Sequence, residues 1–312
     1  MRVWNGDQRN GDDKMQLEDN TTGAGSSPND RTADSEAKPN KLLFPVIKLG
    51  EKMTYAPWEI IPTDSVIIKA SDIFQSNGLS WRPIVKDVIN AGGIHPYFEF
   101  NKNIVLSSVM PDKTLYGITK EEYARAINEL GFDGYFTPDG ETYLGEWHLS
   151  RYEINRMLYE TEYLLKACPD KKPFGLVKGC NAKQVKDHAE RLNKLGIESM
   201  VFHAGDFIRG GKWTEIQLAR VFASVIRKEA RTFFIYGVGS RKMLQKFSDA
   251  DGFMTQNHII NALYRQTMEN GKWVDSGKKA ARVDMMGILR KIYEEVCYIG
   301  NPTGLDMRQK VL

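Results

Sequence analysis

From Lys41 onward the chain alternates short β-branched or aromatic runs with longer stretches whose apolar residues recur at helical spacing. Seven runs read as strands: 66–70, 103–107, 133–137, 174–178, 199–203, 232–236 and 252–256. Between them lie helical stripes such as Tyr123, Ala126, Ile127 and Leu130, or Leu218, Val221, Phe222 and Val225. Glycine or a capping residue stands where a strand gives way to a helix, as in Gly179-Cys180-Asn181 and Gly237-Val238-Gly239-Ser240. An unbroken succession of βα units predicts an α/β fold, a closed (β/α)8 TIM barrel running from about residue 55 to 300, with an open doubly wound sheet as the alternative. The eighth strand is not evident in the pattern. After Gln256 the sequence offers Asn-Gly-Lys at 270–272, which reads as a hairpin turn or helix end, and 285–298, which reads as a closing helix.

The first 40 residues break this rhythm. They are rich in Asn, Asp, Gly, Ser and Thr and almost devoid of apolar side chains, so they cannot offset the entropy of ordering. We read 1–40 as a disordered polar tail and 41–312 as the barrel domain. The overall charge of +3 conceals an acidic tail and a mildly basic body, a balance that tolerates a polyanionic partner without requiring one. No run approaches the roughly 18 to 20 apolar residues of a spanning helix, and the N-terminus lacks the apolar centre of a secretion signal. A cytoplasmic protein, or one in a host cytoplasm if phage-encoded, that does not engage a membrane is expected. Cys168, Cys180 and Cys297 are too scattered for a disulfide framework or a zinc run, so no metal and no cofactor are expected.

In a parallel barrel, chemistry gathers where the strands end at their carboxyl side, because the interior below is filled by apolar side chains. The strand ends offer Asp72, Ser107, Asp139 with Glu141, Lys178, His203, Tyr236 and the Gly237 to Ser240 turn. Asp139 and Glu141 stand on one loop, where a carboxylate can act as acid, base or nucleophile, or accept the paired N–H donors of a heterocycle. Pro138-Asp139-Gly140 is equally a turn signal in its own right. Gly237-Val238-Gly239-Ser240 lets backbone amides approach an anion, yet a simple tight turn explains it as well. His188, inside a helix, reads as structural.

Four stretches carry a resemblance to the tRNA-guanine transglycosylase superfamily: GGIHPYFEFNKNIVLSS (92–108), YGITKEEYARAINELGFDGYFTPD (116–139), PFGLVKGCNAKQVKDHAERLNKLGIESMVFHAG (173–205) and FFIYGVGSRKMLQKFSDADGFM (233–254). The resemblance implies a TIM barrel that exchanges guanine for a 7-deazaguanine in DNA or tRNA, with nucleic acid and a free purine or 7-deazapurine base as partners. A compact barrel without an RNA-binding appendage is similar to the phage and bacterial branch that modifies DNA. Asp139 matches the family's base-reading Asp. The resemblance further implies substrate contacts from Glu141, Lys178, His203, Tyr236, Gly237 and Gly239, and places Lys178, Arg209 or Lys212 near phosphate.

Other positions depart from the family. Ser107 stands at the general-base Asp, Met254 at the nucleophilic Asp and Lys178 at the base-contacting Gln; His203-Ala204 stands at a Gly-Gly pair, and the zinc run is absent. The catalytic candidates are therefore Asp251, Asp72 and Ser107, with Glu141 a further carboxylate able to serve. Met254 equally suits a non-catalytic relative that binds nucleic acid or a partner. An unrelated TIM-barrel enzyme binding a phosphorylated small molecule at 237–240 is the third alternative.

Overall fold

The computed structural model describes residues 41–50, 56–208, 210–263, 266–270, 272–275 and 285–300. The tail expected over 1–40 and the segment after residue 300 lie outside the described residues. Eight parallel strands close into a barrel in chain order: β1 (Leu42–Ile47), β2 (Ser65–Lys69), β3 (Asn103–Ser107), β4 (Gly134–Phe136), β5 (Lys172–Leu176), β6 (Ser199–His203), β7 (Thr232–Tyr236) and β8 (Gly252–Thr255). The closed (β/α)8 architecture is thus present, with helices following the strands.

The strand absent from the sequence pattern is the first one. β1 closes the ring by pairing Leu42 with Gly252 and Pro45 with Thr255 on one side, and Val46 with Ile67 on the other. The barrel therefore begins at Leu42 and not near residue 55. Pro45 hides the strand, because proline gives no N–H to a ladder and normally argues against a strand paired on both edges. Burial outweighs that loss here: every β1 residue from Leu43 to Ile47 is buried. The Asn-Gly-Lys signal does mark a hairpin, with β9 (Gln266–Glu269) antiparallel to β10 (Lys272–Asp275) and Asn270 at φ 48°.

Alternate residues of each strand fill the interior. Phe44, Val46, Ile67, Val105, Phe136, Phe174, Leu176, Val201, Phe234, Tyr236 and Met254 form one apolar core there. The intervening residues face the helices. Helix Lys120–Glu129 buries Tyr123, Ala126 and Ile127 and is started by Thr119, whose side chain accepts from Glu122 N. Helix Ala182–Lys194 is capped in the same way by Asn181, which accepts from Gln184 N. Helix Met285–Gly300 lays Ile288, Leu289, Ile292 and Val296 into the same apolar cluster as Leu43 of β1 and Phe253 of β8. Among the described residues no helix is long and apolar enough to cross a membrane.

Two histidines are buried in this frame. Burial pushes His188 down to about 4 and His258 down to about 3. Both are neutral when folded, whereas an unfolded histidine takes a proton below about 6.5. Their contribution is therefore complete above about pH 6.5 and is lost as pH falls toward the folded values. We expect each to cost up to about 1.4 kcal/mol of stability per pH unit between pH 6 and 5. Denaturant unfolding at pH 7, 6 and 5 checks this, and a flat profile would contradict it.

Candidate functional site

Strand parity decides which polar residues reach the mouth. Ile67, Val105, Val201 and Phe234 point inward, so Lys69, Ser107, His203 and Tyr236, each two residues further along, also point inward at the carboxyl ends. By the same step Val46 leads to Lys48 and Leu176 to Lys178. β5 ends at Leu176, two residues before the expected boundary, which leaves Lys178 just above the apolar floor.

Asp139 and Lys178 meet there. The carboxylate Oδ1 lies 2.8 Å from the ammonium Nζ, with side-chain exposures of 7% and 17%. Burial pulls the Lys178 ammonium down, but Asp139 outweighs it, and the group ends above its ordinary value. The pair is closely supported from below and behind. Asp139 Oδ1 also accepts from Gly140 N at 2.7 Å, and Arg156 Nη2 donates to the Asp139 carbonyl at 2.7 Å. Arg156 is itself held by Glu153 and Glu160 of its own helix, Trp147–Ala167. A side chain at Gly140 would strike Glu153 and Met157, so this close approach of loop to helix requires glycine. On the other side, His188 Nδ1 lies 3.1 Å from the Lys178 backbone N, giving that helical histidine its structural role.

A cleft of about 270 Å³ opens beside the pair, above β4 to β6. Val177, Phe202 and Phe207 supply apolar wall, while Asp112, Glu141, Asp206 and Glu215 line it with carboxylates. Glu141 is raised by desolvation and by the neighbouring Asp112, whose Oδ2 accepts from the Tyr143 hydroxyl at 3.0 Å. His203 faces this cleft with Nδ1 3.2 Å from Asp206, and its ring meets Tyr236 edge-on at 5.1 Å. The Tyr236 phenol is raised by burial first and then by Asp72; Ser107 and Asp139 also act on it. Asp72, Ser107, Asp139, Lys178, His203 and Tyr236 therefore gather at one mouth.

Three expectations need correction. Asp251 immediately precedes β8, at the amino end of the barrel opposite the mouth. Its Oδ2 accepts from Phe233 N at 2.7 Å and faces Arg227 Nη1 at 3.3 Å, so it ties strands together and is removed from any chemistry above. Met254 is fully buried in the interior core and lines no open pocket. Lys212 is exposed and paired with Glu215 at 3.0 Å, Lys178 is committed to Asp139, and Arg209 lies outside the described residues, so this side offers no phosphate cradle.

The glycines of the 237–240 turn serve packing. Gly237 adopts φ 91° and a Cβ there would come within 3.0 Å of Gly205 Cα. A Cβ on Gly239 would run into the Asn257 side chain. Helix Arg241–Lys246 beyond it has only six residues. What the sequence reading missed is the support: Asp112, Glu153, Arg156 and Glu160 read as ordinary surface charge, and Lys48 and Lys69 lie at strand ends whose inward parity needs the strand bounds. Among the described residues no group of three or more His, Cys, Asp or Glu is placed to hold a metal ion. Fold and site together define a (β/α)8 barrel with a polar, electrostatically divided mouth. No model of a known protein family matches the sequence, and no curated protein matches it either.

Proposed function

We propose that the mouth binds a guanine-type base and that the protein is a base-exchange glycosyltransferase acting on guanine in DNA or tRNA. The observation that carries this reading is the buried Asp139–Lys178 pair. Guanine presents two adjacent donors, the exocyclic amine and N1–H, followed by the O6 acceptor. A carboxylate beside an ammonium supplies the complementary order, two acceptors and then a donor. Burial makes the match selective, since a base with the wrong pattern leaves both charged groups without partners. Phe202 and Phe207 offer apolar surface to the ring.

At the sugar, Asp72 is the carboxyl group available at the mouth. Burial holds it above the usual carboxylate range, against the pull of Lys69, the Leu49 backbone N–H, Arg82 and Lys48, which suits a proton donor or acceptor better than a nucleophile. Radiolabelled guanine offered with DNA and tRNA in parallel tests exchange. The reading expects label in one of the two nucleic acids and loss of incorporation in Asp72→Asn.

A second reading is favoured by Met254. With an apolar core residue on β8 and Asp251 at the far end, no carboxylate stands on β8 facing the base. The barrel then binds the base or its nucleic acid without breaking the glycosidic bond. Guanine binding without incorporation of label would select this reading.

A further inference from the structure

The charges of the mouth are segregated. Above β4 to β6 stand Asp112, Glu141 and Asp206, whereas the ends of β1 and β2 carry Lys48 and Lys69, with Arg82 donating to the Ser71 carbonyl next to Asp72. Lys69, Arg82 and Lys48 all reach Asp72 electrostatically. Two buried polar atoms sit between these halves. Tyr236, 1% exposed, makes no hydrogen bond of good geometry from its hydroxyl to any described residue, although Ser107 is beside it. Asp72 Oδ2 likewise has no hydrogen-bond partner among the described residues. Leaving such groups dry costs free energy, and a ligand hydroxyl would satisfy both, because a carboxylate accepts and a phenol does either.

We propose that the β1, β2 and β7 side of the mouth is a ribose 5′-phosphate subsite, with Tyr236 and Asp72 on the sugar hydroxyls and Lys48 and Lys69 on the phosphate. Resting on the base reading above, this makes the recognised unit a guanine nucleotide. The base edge lies over Asp139 and Lys178, and the phosphate is directed away from the carboxylates of the cleft. The phosphate can belong to a free nucleotide or to a strand.

Calorimetric titration of the full chain with guanosine, GMP, AMP, ribose 5-phosphate and a short single-stranded oligonucleotide containing one guanine tests this. GMP is expected to bind about tenfold or more tightly than guanosine, the scale of one or two charge-assisted hydrogen bonds. That gain should disappear in the Lys48→Gln/Lys69→Gln double variant, while ribose 5-phosphate binds wild type and Asp139→Asn alike. Equal affinity for guanosine and GMP, a gain that survives in the double variant, or no binding of ribose 5-phosphate would overturn the subsite. The wild-type series stands even if the variant fails to fold. If AMP equals GMP while ribose 5-phosphate still binds, the base reading fails and the phosphate subsite holds. Tighter binding of the oligonucleotide than of GMP assigns the phosphate to a strand, the reverse to a free nucleotide, and both support the subsite.

Discussion

Asp139→Asn is expected to lose about 2 kcal/mol or more of guanine affinity, the scale of a buried polar group left without its partner. The substitution turns one of two acceptor oxygens into an N–H₂ group facing the donors of the base. It also removes the charge against which Lys178 is held at 2.8 Å. The fold should persist, because the backbone contact from Arg156 goes to the Asp139 carbonyl and not to its carboxylate. Calorimetry on the folded variant checks this, with circular dichroism as the control. Unchanged affinity would remove Asp139 from base reading.

Met254→Asp is expected to cost about 4 kcal/mol of stability, through an unpaired carboxylate driven into an apolar interior and lost packing around it. Met254 lies in one cluster with Phe44, Val46, Phe234 and Tyr236 and is fully buried. A single change therefore does not recreate a nucleophile on β8. The control Met254→Leu should cost less than about 1.5 kcal/mol, since volume is nearly conserved. Denaturant unfolding of the two variants against wild type decides the matter, and a Met254→Asp midpoint equal to that of wild type would place position 254 in a wet, open site instead.

Most of the barrel was legible because its strands are short apolar runs buried on both faces, the pattern a parallel sheet imposes. β3, β6 and β7 have the expected bounds. β1 was illegible for a local reason, Pro45, whose cost is met by closure between β2 and β8, a long-range fact no window of sequence contains. The mouth was legible where strand ends carry a polar residue on an apolar run, as at Ser107, His203 and Tyr236. Asp251 misled for the complementary reason: it too flanks a strand, but at the amino end, and only register shows it bonded to Phe233 N. Arg156 and Glu153 were beyond reach, since a helix stripe of charges looks the same whether it faces water or braces a loop.

The most direct measurement of the central claim, that Asp139 and Lys178 read a lactam edge, is the rank order of purine affinities for the wild-type chain. Guanine offers the amine, N1–H and O6; hypoxanthine lacks the amine; adenine reverses the pattern at the other two positions. Titration calorimetry should give guanine tightest, hypoxanthine weaker by about tenfold and adenine weakest, each step reflecting a buried hydrogen bond lost or opposed. Adenine binding as tightly as guanine, or no purine binding at all, would contradict it.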